Sequence, residues 1–119
     1  MKYEHFTDGE LACPCCLVNG VKDEFMTKIE AIREELDLPM YVTSGFRCDT
    51  YNKAIKGARR SAHKNGLALD IMRKDGIYAR KVTELAIKHG INGIEIGTGH
   101  IHLDDKDRVA PVIWSALSK

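Results

Sequence analysis

Histidine and carboxylate side chains recur at short spacing in two segments of this 119-residue sequence. His63 precedes Asp70 by seven residues, and two histidines and an aspartate alternate with aliphatic residues in His100–Asp104. Neutral imidazoles and carboxylates are ligands for zinc and other first-row divalent metals. Together the segments supply a His, Asp, His set, and three such ligands with one open position are typical of a catalytic zinc site. A structural zinc site would more often be closed by four residues, usually with cysteines.

A strand over residues 67–72 would place Asp70 on a nearly empty face. Side chains alternate along a strand, so residues 66, 68 and 70 would share one face and residues 67, 69 and 71 would face the core. Gly66 and Ala68 have minimal side chains. The space beside Asp70 would then accommodate a metal ion, its water and a substrate.

The segment His100–Asp104 shows a similar division. On a strand, His100, His102 and Asp104 share one face, while Ile101 and Leu103 share the other. Two imidazoles and a carboxylate backed by aliphatic residues are typical of a site wall. The alternative interpretation is an ordinary solvated strand face that carries a few polar residues.

Two amphipathic helices and several short strands must position these residues. Apolar spacing predicts one helix over residues 21–37, ended by Pro39, with Val21, Phe25, Ile29, Ile32 and Leu36 on one stripe. A second helix is predicted over residues 76–89, with inward-facing Ile77, Val82, Leu85 and Ala86. The remaining predicted elements are strands over 40–43, 67–72, 93–96, 100–104 and 112–114, a short helix over 50–55 and a loop over 57–65. This mixture predicts an α+β fold, with two main helices packed on a small, mainly antiparallel sheet.

Length and composition indicate one ordinary globular domain over residues 1–119. Hydrophobic residues make up 44% and charged residues 29%, and 18 basic residues against 17 acidic ones give a net charge of +1. This balance argues against nucleic acid as a partner, despite the local cluster of Lys56, Arg59, Arg60 and Lys64. No apolar run approaches the roughly 18 residues of a membrane helix. The first residues have no hydrophobic signal-peptide core, so we expect a cytoplasmic or phage-associated protein without a classical signal peptide, and a monomer.

The four cysteines are Cys13, Cys15, Cys16 and Cys48. Without a secretion signal, they do not indicate a disulfide framework. Structural cysteines, with one disulfide to Cys48, are the favoured interpretation. The Cys-x-x-Cys spacing of Cys13 and Cys16 leaves a metal knuckle or a redox pair as alternatives, although a knuckle needs a second ligand pair and Cys48 stands alone.

The order of several motifs resembles the M15 family of zinc peptidases. These motifs are, in chain order, Ser44-Gly45-Phe46-Arg47-Cys48, Ser61-x-His63-x-x-Gly66-x-Ala68-x-Asp70, His102-x-Asp104 and Trp114. The opening Leu11-Ala12-Cys13-Pro14-Cys15-Cys16 is similar to that of the small single-domain members. The family includes D-alanyl-D-alanine carboxypeptidases and the L-alanyl-D-glutamate endopeptidases of phage endolysins, and hedgehog signalling domains share its fold and metal set. The resemblance spans roughly residues 10–115.

The resemblance implies that His63, Asp70 and His102 bind Zn²⁺. It implies that Arg47 binds a substrate carboxylate or carbonyl oxygen, a role that suits the bidentate guanidinium fork. Ser61 would orient His63 or contact substrate, and the alternative is a plain loop serine. Asn52 could brace the loop, whereas Trp114 is expected to pack under the sheet, outside the site.

The general base remains open among three residues. Many family members have an acid three residues before the last zinc ligand, but this sequence has Gly99 there. Glu95, His100 and Asp104 are the remaining candidates, and Asp104 could instead hold a zinc-bound imidazole in place.

The leading hypothesis is a zinc metallopeptidase that hydrolyses peptidoglycan stem peptides, as a carboxypeptidase or an endolysin-like endopeptidase. Zinc would supply a Lewis acid and an activated water. The alternative is a non-catalytic zinc-binding structural or phage-associated module of the same fold, suggested by Gly99.

Overall fold

Five strands form one mixed sheet in the computed structural model, which describes residues 3–115. The strands are β1 (Val42–Ser44), β2 (Ala68–Met72), β3 (Gly93–Ile96), β4 (His100–Asp104) and β5 (Val112–Ser115). Their order across the sheet is β1-β2-β4-β3-β5. All neighbours pair antiparallel except β3 and β5, which are parallel. The predicted α+β fold with a mainly antiparallel sheet is confirmed.

Four helices accompany the sheet. They are α1 (Asp8–Leu11), α2 (Asp23–Leu36), α3 (Asp49–Ala54) and α4 (Gly76–Lys88), and a 3₁₀ helix covers Ala62–Asn65. The two long helices, α2 and α4, contact each other and correspond to the two predicted ones. Helix α2 ends as Asp37 adopts a left-handed conformation (φ 53°), two residues before Pro39.

The core lies between the long helices and one face of the sheet. The predicted stripe of α2 is buried along its whole length, from Phe25 to Leu36. Opposite it, β2 and β4 contribute Leu69, Ile71, Ile101 and Leu103, all fully buried. Because these aliphatic residues alternate with polar ones, the other face of the same strands is left for the histidines and carboxylates.

The buried stripe of α4 differs from the prediction. Val82 and Ala86 are buried as predicted, but Ile77 is 72% exposed, and Tyr78 and Ala79 are buried in its place. The helix begins one residue after Asp75, whose side chain accepts the backbone N–H of Tyr78. This start turns Tyr78 inward, where its hydroxyl donates to the carbonyl of Pro39 at 2.8 Å. Leu85 is only partly buried, at the margin of the core.

Two further predictions were wrong near the functional motifs. The segment 57–65 is not all loop, because the 3₁₀ helix forms where the Ser61 hydroxyl caps the backbone N–H of His63. Strand β2 begins at Ala68, so Gly66 does not share the strand face of Asp70. Gly66 ends the 3₁₀ helix with a left-handed φ of 73°.

None of the helices within residues 3–115 is long and apolar enough to cross a membrane.

Candidate metal centre

One row of side chains runs across all five strands on the face opposite the core. Cross-strand pairing aligns Ser44 with Asp70, Asp70 with His102, and His102 with Glu95. Glu95 in turn pairs with Trp114 on β5. The register of the sheet thus gathers the polar residues of β1, β2, β4 and β3, in that order, next to one tryptophan.

His63 reaches this row from the 3₁₀ helix. Its ring is almost fully buried, and its Nδ1 lies 2.7 Å from the carbonyl oxygen of Gly45. A carbonyl only accepts, so Nδ1 carries a proton, and Nε2 is the ring nitrogen that faces Asp70. Nε2 lies 3.3 Å from Asp70 Oδ1.

Gly66 allows the tight turn that places His63 beside the sheet. A Cβ atom on Gly66 would lie 1.9 Å from the carbonyl oxygen of Gly20, and the left-handed φ of Gly66 also disfavours other residues. The carbonyl of Gly66 accepts the backbone N–H of Lys22 at 2.8 Å. The glycine therefore joins the His63 turn to the segment that leads into α2.

Three donor atoms converge on one point. Nδ1 of His102 lies 2.8 Å from Asp70 Oδ1, and ligand atoms of His63, Asp70 and His102 all lie within 4.8 Å of one another. Metal–nitrogen and metal–oxygen bonds of about 2.0–2.2 Å in a tetrahedron put ligand atoms roughly 3.3 Å apart. The donor set and its spacing fit a divalent metal ion.

Asp104 lies behind His102. Its Oδ2 is 2.6 Å from His102 Nε2, on the opposite side of the ring from Asp70. Asp104 is only 1% exposed and is held by the guanidinium of Arg108, whose Nη2 lies 3.0 Å from Oδ2, and by the backbone N–H of Lys106. A carboxylate at the second ring nitrogen fixes the orientation of a metal-binding histidine and raises its basicity.

In the absence of metal, the ionisable groups of the site shift one another's pKa values. Burial works against ionisation of Asp70, but hydrogen bonds and charge interactions with His102 and His63 outweigh it and hold its pKa well below the usual range. Burial likewise lowers the pKa of His102, but Asp104 and Asp70 outweigh it and raise that pKa to about 9. The pKa of Asp104 is lowered, against its burial, by His102 and Arg108. A metal ion would replace the proton that His102 holds at neutral pH.

Glu95 lies next to His102 across the strands, with both carboxylate oxygens in contact with a partner. His100 Nε2 lies 3.1 Å from Oε1, and Trp114 Nε1 donates to Oε2 at 3.1 Å. The Trp114 ring centroid is also 5.7 Å from that of His102. The prediction that Trp114 packs under the sheet was therefore wrong: it lies on the face of the metal-binding set, because β5 adds parallel to β3 in register with Glu95.

Arg47 lies at the other end of the row. Its Nη2 is 3.4 Å from Asp70 Oδ2, its Nε donates to Ser44 Oγ at 3.0 Å, and its Nη1 lies 3.4 Å from Asn52 Oδ1. Asn52 is 2% exposed and donates to the carbonyl of Ala58, as a bracing residue would. The guanidinium is therefore held in a fixed orientation beside a candidate ligand.

A small cleft of about 180 Å³ opens beside His102. Its lining includes Ser61, Trp114, Arg60, Lys106 and Arg108. Arg108 is paired with Asp104, whereas Arg60 and Lys106 form no ion pair within residues 3–115. Ser61 contacts the backbone of His63, not its ring, and also faces this cleft.

Sequence reasoning named every member of the row except Ser44 and Trp114 as a site residue, but it missed Arg108 and the carbonyl of Gly45. A backbone carbonyl leaves no signal in residue type. Arg108 lies four residues after Asp104, outside β4. Its contact with Asp104 depends on the course of the chain after β4, which the sequence does not reveal.

Comparison with known proteins assigns this fold and site to a class. The family model described as peptidase M15 matches residues 4–104, most of the chain. The chain belongs to the peptidase M15 family, and the class of activity is peptide-bond hydrolysis. The search of curated proteins found no match. Peptidases of this family are generally metal-dependent, in agreement with the converging ligand set.

Proposed function

We propose that this protein is a zinc metallopeptidase, formed by one domain over residues 1–119, that hydrolyses stem peptides of bacterial peptidoglycan. The observation that carries the proposal is the convergence of His63, Asp70 and His102. Each histidine is held at its other ring nitrogen, by the carbonyl of Gly45 and by Asp104 respectively. Such bracing is expected of metal-binding histidines.

His63 Nε2, Asp70 Oδ1 and His102 Nδ1 would hold the metal. Zn²⁺ bound there would supply a Lewis acid for the scissile carbonyl and lower the pKa of water. The three residues leave a coordination position open, which distinguishes the set from a closed structural site.

Glu95 is our candidate for the general base. It is adjacent to His102, it is partly exposed, and its carboxylate is oriented by His100 and Trp114. In this role it accepts the proton of the attacking water and passes it to the leaving amine. Asp104 is too buried and too fully paired to exchange protons with a substrate, so we assign it the positioning of His102. His100 then orients Glu95 and remains the second candidate for the base.

Arg47 and Ser61 are our candidates for substrate contact. Arg47 offers a rigid guanidinium beside Asp70, suited to a developing oxyanion or to a substrate carboxylate. Ser61 opens onto the cleft, where Arg60 and Lys106, which form no ion pair with any residue of 3–115, favour an anionic ligand. Peptidoglycan stems, which carry free carboxylates, match this charge.

A mass-spectrometric digest tests the proposal. Purified peptidoglycan and synthetic stem peptides would be incubated with the zinc-loaded protein, with a chelator-treated sample and with His102→Ala. His89→Ala is the matched control, because His89 lies at the end of α4 and pairs with Glu35 away from the site. We expect new fragments from the wild type and His89→Ala only. Loss of a terminal D-alanine would define a carboxypeptidase, and a cut between L-alanine and D-glutamate an endopeptidase of endolysin type.

The second candidate function is a non-catalytic, zinc-binding phage or structural module of the same fold. The observation that favours it is Gly99, which replaces the acid that many members have in the turn before β4. Zinc binding by a folded wild type that releases no fragments from either substrate would support this function and exclude the peptidase. The setting we propose for the peptidase is a monomeric phage or prophage lysin, in keeping with the similarity of residues 11–16 to the small family members.

A further inference from the structure

Three of the four cysteines of the chain meet at the edge of the sheet, apart from the row of candidate metal-binding residues, and Cys16 directly follows one of them. Cys13 Sγ lies 3.6 Å from Cys48 Sγ, and Cys15 Sγ lies 3.3 Å from Cys48 Sγ. The three sulfur atoms lie within 4.8 Å of one another. Cys16 directly follows Cys15, and its thiol interacts with those of Cys13 and Cys48. Three thiols therefore face one another, with Cys16 beside them in the chain, although more than thirty residues separate Cys48 from the other cysteines.

The separations fit a metal ion better than a disulfide. Bonded sulfur atoms are about 2.05 Å apart, and all four cysteines are free in the structure. Zinc–sulfur bonds of about 2.3 Å in a tetrahedron put sulfur atoms roughly 3.8 Å apart. The two measured separations approach that edge length. One central sulfur, that of Cys48, also lies close to two others at once, whereas a disulfide joins only one pair.

The backbone around the thiols is arranged to stabilise negative charge on sulfur. The N–H of Cys48 donates to Cys13 Sγ at 3.5 Å, and the N–H of Tyr51 donates to Cys48 Sγ at 3.4 Å. Thiolates, not thiols, bind metals, and donors aimed at sulfur favour the thiolate.

A tight turn presents the first three cysteines together. The N–H of Leu17 donates to the carbonyl of Cys13 at 2.8 Å, and the N–H of Cys13 donates to the carbonyl of Val18 at 2.9 Å. Leu17 adopts a left-handed conformation (φ 62°), which is unfavourable for a branched side chain. The chain thus reverses directly after Cys16, and the turn is held closed against that cost.

We propose that Cys13, Cys15 and Cys48, with Cys16 as the fourth ligand, bind a second metal ion of the thiolate-preferring class, Zn²⁺. This site is closed by four sulfur ligands and is structural. It has no open position for a substrate, in contrast to the set of His63, Asp70 and His102. The paired motif that a zinc knuckle needs is replaced by three clustered cysteines and one distant cysteine.

Because Cys48 is adjacent to Arg47, metal bound to the cysteines would also affect the candidate peptidase site. Cys48 directly follows Arg47 and caps α3, which carries the Asn52 that contacts Arg47. The bound metal would fasten the Arg47 loop to the segment 13–16. Among the described residues, a backbone hydrogen bond just before these segments joins the same two parts of the chain, with the N–H of Phe46 donating to the carbonyl of Leu11 at 2.9 Å. Removal of the metal would therefore loosen Arg47 without touching any of the three histidine and aspartate ligands.

Titration of the reduced, metal-free protein with Co²⁺ tests the proposal. Cobalt bound to thiolates gives an intense charge-transfer absorption in the near ultraviolet, which nitrogen and oxygen ligands do not give. We expect about two cobalt ions per wild-type chain with this absorption, and about one in His102→Ala with the absorption retained. Cys48→Ser should bind about one ion without the absorption. The two variants thus separate the cysteine site from the peptidase site, so the failure of one proposal is distinguishable from the failure of the other.

Variants at two exposed cysteines test the proposal even if Cys48→Ser does not fold. If Cys48→Ser does not fold, Cys15→Ser and Cys16→Ser, whose side chains are exposed, should still weaken thiolate-linked cobalt binding by at least tenfold. A reduced, folded wild type that shows no charge-transfer absorption would overturn the proposal. So would protein purified anaerobically with a mass two hydrogens below the reduced value, because a disulfide would then occupy the cysteines. An unchanged affinity in Cys16→Ser would remove Cys16 from the ligand set and overturn the four-sulfur site.

Discussion

The imidazole of His102 is held between two carboxylates, and its Nε2 lies 2.6 Å from Oδ2 of the buried Asp104. This contact determines which nitrogen of His102 faces Asp70 and His63. It also ties the ring to Arg108, because Asp104 is shared between the two cations. The orientation of a candidate metal ligand therefore depends on a residue that neither the metal nor the substrate would touch.

Replacement of Asp104 should weaken metal binding. In Asp104→Asn the charge that stabilises the His102 ring and pairs with Arg108 is lost, so we expect zinc affinity to fall about 10- to 100-fold. The measurement is competition with a chromophoric chelator. The control is Asp107→Asn, an exposed aspartate three residues away, which should keep the wild-type affinity. Equal affinities in the two variants would contradict the role assigned to Asp104.

Metal-free protein should lose stability as the pH rises. The pKa of His102 is raised in the folded state to about 9, so its contribution is fully present below the unfolded pKa of about 6.5 and is lost as pH rises through 9. We expect the free energy of unfolding in urea to fall between about pH 6.5 and 9, by on the order of 3 kcal/mol. His102→Ala should lack this decrease. An equally steep decrease in that variant would assign the effect to another group.

Zinc affinity should change in the opposite direction over the same pH range. Because the metal must displace the His102 proton, binding should strengthen with pH up to about 9 and then level off. Isothermal titration of Cys48→Ser, which lacks the proposed cysteine site, in buffers of different ionisation enthalpy would count the protons released. Release of no proton at neutral pH would show that His102 is already neutral in the metal-free protein.

Replacement of Glu95 should separate catalysis from metal binding. In Glu95→Gln the shape and the contact with Trp114 are preserved but the proton acceptor is lost, so kcat should fall about 10²- to 10⁴-fold while zinc stoichiometry stays unchanged. The matched control is Glu84→Gln, an exposed helical residue paired with Arg80. If His100→Ala reduced kcat as strongly and Glu95→Gln did not, His100 would be the base.

A single methyl group at Gly66 should disturb the site from outside it. In Gly66→Ala the new Cβ would meet the carbonyl of Gly20 and force a left-handed alanine, so we expect a loss of roughly 1–3 kcal/mol and weaker zinc binding. Gly76→Ala is the control, since nothing lies within 4 Å of its Cβ position at the start of α4. Thermal melts and the chelator competition measure both effects. Wild-type affinity in a folded Gly66→Ala would show that the turn does not position His63.

Local patterns predicted the elements of this fold well, and long-range pairing explains what they missed. Strands β3 and β4 begin and end as predicted, because alternation of polar and apolar residues is a property of each segment alone. Helix α4 begins at Gly76 and buries Val82 and Ala86 as predicted, but its first turn buries Tyr78 and Ala79 and not Ile77. The position of Trp114 depends on the parallel pairing of β5 with β3, which no local pattern encodes.

The candidate site residues also divide into those that sequence patterns indicated and those that only the folded structure reveals. His63, Asp70, His102 and Arg47 were proposed as site residues from spacing and motif order, and Glu95 from its distance to His102 along the chain. The supporting contacts were not found, because Gly45 contributes only a carbonyl and Arg108 reaches Asp104 from a segment without regular structure.

The row from Ser44 to Trp114 has one residue on each of the five strands, so no single stretch of the chain contains the whole candidate site. The ligands would come together only when β2 and β4 are paired, and the candidate base only when β3 has joined them. Metal binding would then be linked to complete unfolding of the sheet and not to local fraying. Zinc bound to this set should slow hydrogen exchange most at the amides of the central strands, and a fragment that lacks β2 or β4 should not bind zinc through His63, Asp70 and His102.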